Sequence, residues 1–251
     1  MKTVLITGCS TGFGLETARF FLERDWNVIA TMRNPEVCTL APSDRLTVLA
    51  LDVTNAASIA AAVEAAGPID VLVNNAGIGW LNAHEGTSED MIQRLFATNT
   101  FGTMAMCRAV LPGMRERGDG AIVNVTSSVT LKSLALLSAY SASKAAAAAF
   151  TGSLAQEVGS FGIRVIEVLP GYSSATAFSD NVSERMEQEG GSPQPYAEIM
   201  QQTFAHFAAQ PANAGTQPAD VAEAVWRAAT DPACPARLPA GADAVEWFAE
   251  A

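Results

Sequence analysis

Sulfur, imidazole and positive charge are all scarce in this chain. Its 251 residues include four cysteines, Cys9, Cys38, Cys107 and Cys234, widely spaced and with no Cys-x-x-Cys pair. Only His84 and His206 are available to complete a ligand set, so the sequence carries no metal-site signature. Scattered cysteines fit a reducing compartment better than a disulfide framework. Fifteen Lys+Arg stand against 26 Asp+Glu, a net charge of -11, which excludes a broad electrostatic footprint for nucleic acid. The excess acid reads as a device for solubility. Long apolar runs are missing too. "MKTVLITG" meets a turn glycine after one short apolar run, too short for a signal core, and no later stretch holds ~18 uninterrupted apolar residues. A cytoplasmic protein with no membrane or nucleic-acid partner is expected.

The chain has apolar residues in quantity, 49% of the total, and the length of one large α/β domain. Short apolar runs recur as "TVLIT", "WNVIAT", "RLTVLALDV", "IDVLVNN", "GAIVNVTS" and "IRVIEVLP". Continuous runs of this kind suit strands buried on both faces. Between them, "GFGLETARFFLERD", "TNAASIAAAVEAAG", "SEDMIQRLFATNTFGTMAMCRAVLPGM" and "AYSASKAAAAAFTGSLAQEVGS" read as helices. The alternation predicts a single doubly wound α/β domain over 1–251, a parallel sheet with helices on both faces. After Tyr172 a polar stretch with "NVSERMEQEGGSPQP" and a helical "PYAEIMQQTFAHFAAQ" interrupt the rhythm. Residues 172–216 are expected to form a substrate-binding lid, after which "PADVAEAVWRAATD" resumes as a helix and "ARLPAG" adds a last strand.

The first strand ends in "TGCSTGFG". Gly8 permits a tight turn, Gly12 a close backbone approach to a pyrophosphate, and Gly14 close packing of helix on strand. Phosphates would sit at the helix N-terminus, beside Ser10 and Thr11. At the end of the second strand, where an acid would select NAD, stand Ala30 and Thr31, with Arg33 following. An arginine there either pairs with the 2'-phosphate of NADP or lies solvated in its loop. Asp52, after the third strand, is a candidate for the adenine edge and equally a turn or cap aspartate. "NNAG", Asn74 to Gly77, closes the fourth strand at the carboxyl edge that faces a ligand crevice, and its amides can bridge neighbouring strands.

Tyr140 and Lys144, four apart in "YSASK", share one face of a helix. A cation beside a phenol favours the phenolate, so Lys144 is expected to lower the tyrosine pKa from ~10 towards neutrality. Ser127 follows the fifth strand, where its hydroxyl could hold a substrate oxygen.

With these four motifs in order, the chain resembles the short-chain dehydrogenase/reductase family in its compact single-domain form. The likeness runs through "TGCSTGFG", "NNAG", "YSASK" and the "PG" at Pro170–Gly171, and "VIATMRNPE" is most similar to the NADP-using branch of 17β-hydroxysteroid and retinol dehydrogenases. It implies a Rossmann-type sheet of about seven strands, bound NADP(H) in preference to NAD, and hydride transfer between nicotinamide and a carbonyl or alcohol carbon. Tyr140 would be the general acid or base, and Lys144 would hold the nicotinamide ribose. Ser127, three residues after Asn124 and thirteen before Tyr140, is favoured over Ser128 by the family's offsets. Asn99, in "FATNTFG", would complete a tetrad. The implied cofactor set adds Phe13, Val53, Asn75, Ala76, Gly77, Pro170, Gly171 and Thr176 to the residues already named.

Two positions depart from the family pattern. Phe13 replaces an isoleucine at a position that acts through its backbone, and Ala175 stands where a threonine is usual, leaving Thr176 as the candidate for the carboxamide contact. In the lid, Tyr172, Phe178, Tyr196, Ile199, Met200, Phe204 and Phe207 suggest an apolar pocket and hence an apolar ketone or aldehyde. His206 and His84 read as surface or packing residues, the latter near the substrate loop. A homodimer or homotetramer is implied, with the helix of the Tyr–Lys pair and the long helix before the fifth strand as its interface; the alanine-rich face equally suits ordinary packing on its own sheet. The competing reading is a catalytically silent NAD(P)-binding sensor of the same fold.

Overall fold

The computed structural model of the chain describes residues 1–174, 176, 178–208 and 215–251, the side chains of 178–181 and 206–208 apart. Its strands are β1 (Thr3–Thr7), β2 (Asn27–Met32), β3 (Leu46–Ala50), β4 (Val71–Asn74), β5 (Gly120–Val125), β6 (Ile163–Pro170) and β7 (Arg237–Ala240). Its helices are α1 (Gly12–Leu22), α2 (Ala56–Ala66), α3 (Glu89–Phe96), α4 (Thr103–Arg117), α5 (Ser138–Val158), α6 (Phe178–Gln188), α7 (Ala197–Ala208), α8 (Pro218–Thr230) and α9 (Ala242–Glu250). All strands join one seven-stranded parallel sheet in the order β3-β2-β1-β4-β5-β6-β7. The order reverses direction between β1 and β4, which opens a crevice beyond their carboxyl ends.

Alternation along each strand divides the core in two. Val4 and Ile6 of β1, Val71 and Val73 of β4, and Val123 and Val125 of β5 face one side, where α1 and α8 cover them. Leu5, Leu72 and Ile122 face the other side, against Met106, Val110 and Leu154 of α4 and α5. Phe21, Trp26 and Trp226 pack edge to face at 5.0–5.7 Å and close the first layer. Both faces of the central strands are therefore buried, which is why their sequences are continuous apolar runs.

Buried polar residues tie the strands together near their carboxyl ends. Asn74 Nδ2 donates to Asn124 Oδ1 at 2.9 Å, and Asn124 Nδ2 donates to Thr151 Oγ1 at 2.9 Å, so β4, β5 and α5 are fixed in register. The buried Glu167 of β6 accepts from Thr126 at 2.7 Å and from Arg237 of β7 at 2.8 Å.

Three elements differ from the sequence expectation. The stretch 88–114, which reads as one helix, is α3 and α4 joined by a π-helical turn over Ala97–Gly102. The polar "FSDNVSERMEQ" forms α6, because Val182 and Met186, four residues apart, pack on the apolar clusters around Trp80 and Leu81. The chain also makes α9 after β7. Among the described residues no helix is long and apolar enough to cross a membrane.

Candidate active site

The turn between β1 and α1 is braced by β4. Asn75 Nδ2 donates to the carbonyls of Thr7 and Gly8 at 2.9 and 3.1 Å, while the amides of Asn75 and Ala76 donate to Thr7 Oγ1 at 3.0 and 2.9 Å. Gly8 has φ +76°, a region that favours glycine, and a Cβ there would lie 2.9 Å from Ala76 Cα. A Cβ on Gly14 would overlap the Gly8 carbonyl and the Asn75 amide. Gly12, at φ +62°, looks across at Thr176, whose side chain would touch any Cβ placed there at 3.4 Å. Thr11 is extended and makes no side-chain cap, whereas Asn55 and Ser88 cap α2 and α3. The result is a cradle of backbone amides and glycines at a helix N-terminus, a form that could hold a diphosphate. Ser10 borders it half-buried and Thr11 exposed, while Phe13 turns its ring into the core. Ala175 lies outside the described residues.

Beside the cradle, Arg33 follows β2 directly and is exposed, with no ion pair among the described residues. Asp52 is held in a turn, its Oδ1 accepting from the Thr54 hydroxyl at 2.7 Å and the Thr54 amide at 2.9 Å. These bonds, aided by Arg33, hold its carboxyl below the usual range despite some desolvation. The turn role is thus realised, and it leaves Oδ2 of Asp52 for a further partner. Val53 is buried against Gly102 of the π turn, so only its backbone is available to a ligand.

The candidate catalytic side chains converge one step further along the sheet edge. Tyr140 and Lys144 are both buried on α5, and the Tyr140 hydroxyl is hydrogen-bonded to Ser127. Lys144 Nζ donates to the Val125 carbonyl at 3.1 Å. Asn99 sits in the π turn, a form of backbone frequent at functional sites. Its Nδ2 donates to the Ile78 carbonyl and to Ser143 Oγ, both at 3.0 Å, and its Oδ1 accepts from the Ile78 amide at 2.9 Å. Gly77 separates the two groups: a Cβ there would be 3.2 Å from Asn99 Oδ1 and 3.3 Å from Lys144 Nζ. Ser128 begins the next turn and is buried. Leu136, just before α5, has φ +66°, a conformation that costs ~1–2 kcal/mol for a side-chain-bearing residue. Its carbonyl accepts from the Asn82 amide at 2.9 Å, which fixes the entry to α5.

The electrostatics correct one expectation. Lys144 does not draw Tyr140 towards neutrality. Burial among Trp80, Met91, Leu95 and Ala139 pushes the phenol up to about 12, and the Ser127 hydrogen bond offsets only part of this. The same burial pushes Lys144 down to about 8. Desolvation dominates because both groups are buried. Cys9 and Cys107, also buried, are pushed up to about 12 and are inert as nucleophiles.

The segment that follows Pro170–Gly171 leaves and returns through a clamp. Asp243 Oδ2 accepts from the Tyr172 amide at 2.7 Å, and its Oδ1 accepts from Thr216 Oγ1 at 2.8 Å. The Thr216 amide donates to the Tyr172 carbonyl at 2.7 Å. Gly171 is required here because any Cβ would collide with the Asp243 carboxylate. Between these stems, Glu189 accepts from Ser88 at 2.7 Å and pairs with Arg94 at 3.6 Å, and Tyr196 donates to Glu85 at 2.9 Å. Tyr196 and Met200 join the apolar cluster of Leu81, Ala83 and Leu136. Ile199 and Phe204 are exposed, so neither walls a pocket here. His84 is exposed, and the side chains of Phe178, His206 and Phe207 lie outside the described residues. Asp243, Thr216 and Ser143 escape sequence reading because each acts through partners distant in the chain. The capping pattern of "GADAVEW" after a strand is the one local hint of α9.

A doubly wound sheet whose carboxyl edge carries a glycine cradle and, across β4, a buried tyrosine and lysine defines a Rossmann-type dinucleotide-binding domain. Within that class the chain belongs to the short chain dehydrogenase family, whose sequence profile matches residues 2–187. It is 40% identical to human retinol dehydrogenase 8 over 181 residues, which is 68% of this chain and 58% of that protein. Two further curated relatives, a ketoacyl reductase of Nostoc and a 3-ketodihydrosphingosine reductase of Bacteroides thetaiotaomicron, are each spanned over 66% of their length. Among solved structures, a short-chain dehydrogenase from Streptomyces avermitilis superposes with a TM-score of 0.85 at 37% identity, covering 100% of this chain and 92% of that one. The closed form of serine dehydrogenase complexed with NADP+ gives 0.80 at 30% identity, over 96% of this chain and 95% of that one.

The clamp generates a prediction. Asp243→Ala removes two charge-assisted bonds, and hydrogen exchange at the Tyr172 amide should accelerate by about 10- to 100-fold while β1 and β4 amides are unchanged. Unchanged exchange at Tyr172 would dismiss Asp243 as the clamp.

Proposed function

We propose that this protein is an NADP(H)-dependent oxidoreductase acting between a carbonyl and a secondary alcohol, most usefully as a reductase of an apolar ketone or aldehyde. The convergence of Ser127, Tyr140, Lys144 and Asn99 beside the glycine cradle carries the reading. When bound, the nicotinamide group supplies or accepts the hydride. Gly8, Gly12 and Gly14 with Ser10, Thr11 and Phe13 would hold the diphosphate, and Arg33, Asp52 and Val53 the adenosine end. Asn75, Ala76, Gly77, Pro170, Gly171 and Thr176, together with Tyr140 and Lys144, would line the nicotinamide end.

Ser127 orients the substrate oxygen and Tyr140 gives it a proton. A phenol held near 12 keeps that proton through neutral pH, which suits an acid, and in the reverse direction it must first lose it. Lys144, still charged below about 8, holds the ribose hydroxyls and steadies the phenolate left behind. Asn99, fixed to Ile78 and Ser143, keeps the lysine's surroundings in place. Residues 172–216 serve as the lid. The name of the retinol dehydrogenase relative and the cluster of Trp80, Met91, Leu95 and Met186 around Tyr140 support an apolar substrate body.

A second copy of the chain is the proposed partner, seated on an open apolar groove of about 700 Å³ between α2, α4 and α5, where Phe101 is 59% exposed. The compartment is proposed to be the cytoplasm.

Three tests bear on this. Tyr140→Phe should lower kcat by about 10²–10⁴-fold with NADPH binding retained, and in the wild type the oxidative rate should rise with pH while the reductive rate stays level through neutrality. A fully active phenylalanine variant would remove the tyrosine from the mechanism, and tight NADPH binding with no carbonyl turned over would favour the sensor. Arg33→Ala should cost about 10–100-fold in kcat/KM with NADPH and little with NADH; equal efficiency with both cofactors in wild type and variant would sink the NADP preference. Phe101→Glu should shift sedimentation from dimer or tetramer towards monomer, and a wild type that sediments as a monomer at every concentration would dismiss the groove as an interface.

A further inference from the structure

Arg185 is a lid cation with no ion pair among the described residues. It lies half-buried on α6, and the one hydrogen bond of its guanidinium among the described residues is a long one, 3.4 Å to the carbonyl of Gly79. The acid nearest the end of α6, Glu189, is already engaged by Arg94 and Ser88, and Glu184 next to Arg185 is exposed. Five guanidinium N–H donors therefore share one weak acceptor. Desolvation, then repulsion from Arg94 and Arg33, makes this cation costly, with Glu184 offsetting part of the cost.

Its position is informative. Gly79 is two residues beyond Gly77, at most about 7 Å along the chain, and Gly77 adjoins Lys144 Nζ and Asn99 Oδ1. Met186, the next residue of α6, packs on the cluster that contains Tyr140. The guanidinium thus meets, from the lid side, the loop that runs from Gly77 beside Lys144 to Gly79. A half-buried, under-satisfied guanidinium is complementary to a planar anion that accepts two hydrogen bonds.

We propose that Arg185 is a specificity-determining residue that binds a carboxylate on the substrate, so that the substrate is an oxo-acid or hydroxy-acid with an apolar body. The inference rests on the oxidoreductase reading above and narrows its substrate class. The carboxylate supplies the acceptors that Arg185 lacks among the described residues, and its arrival ties α6 to the Gly77–Gly79 loop.

Binding tests this without turnover. Short-, medium- and long-chain oxo-carboxylates and their methyl esters are titrated into protein loaded with NADP+, with tryptophan fluorescence, to which the buried Trp80 contributes, as the signal. In the wild type an acid should bind about 10–100-fold tighter than its ester. Arg185→Met should erase that gap, and Arg185→Lys, which keeps the charge and loses the fork, should keep part of it. Acids that bind no tighter than esters across the series would overturn the proposal, as would a gap that survives in Arg185→Met. A gap that survives while NADPH affinity falls would assign the guanidinium to a cofactor phosphate instead. Turnover of neutral carbonyls with no gap would reject Arg185 and leave the oxidoreductase; a gap with no hydride transfer would do the reverse.

Discussion

The Lys144 ammonium is buried with no carboxylate beside it among the described residues, and much of the site is arranged to tolerate it. Withdrawing such an ion from water costs several kcal/mol even after relaxation. What compensates is a carbonyl, that of Val125 at 3.1 Å, which can be reached only if α5 lies close on β5. The small buried residues Ser143, Ala147 and Thr151 on the sheet-facing side of α5 allow that approach. Asn124, bonded to Thr151, locks the helix to the strand, and Ser143 receives Asn99 while donating to the Tyr140 carbonyl at 2.7 Å. The π turn that presents Asn99 and the glycine at position 77 that admits both groups follow from the same need. Moving any of these parts leaves a charge without its dipole.

The burial that disfavours the lysine charge also disfavours the phenolate. One environment thereby drives Tyr140 and Lys144 apart in pKa, to about 12 and about 8. At neutral pH the pair holds a neutral phenol and a cationic amine, a division of labour made by desolvation rather than by mutual attraction. The hydrogen bond with Ser127 pulls the phenol down against that rise, so the serine acts on it electrostatically.

Contiguous motifs were legible in the sequence, and through-space partners were not. "TGCSTGFG" announces its turn because glycine's freedom is a property of single residues, and Gly8 and Gly12 do take positive φ. The doubly wound parallel sheet followed from alternation and handedness. The polar reading of residues 181–195 obscured α6, whose apolar signal is only Val182 and Met186, four apart. The π turn is invisible to side-chain periodicity because it is a shift in backbone hydrogen bonding. Asp243 acts across 71 residues on Tyr172, and Gly171, read as part of a nicotinamide turn, owes its lack of a side chain to that carboxylate. The rise in the tyrosine pKa had the same origin: the i, i+4 spacing shows the lysine, while Trp80 and Met91 come from elsewhere in the chain.

The chain carries a net charge of -11, yet its candidate cleft gathers Lys144, Arg185 and Arg33, none with an ion pair among the described residues. At physiological ionic strength exposed charges beyond ~8 Å are largely screened. The acidic exterior therefore does little to repel an anion once it is near, whereas half-buried cations are screened far less. A low-dielectric cleft focuses such charges. These three side chains oppose the sign of the molecule as a whole, so an anionic group placed among them would remove a cost that the fold already bears.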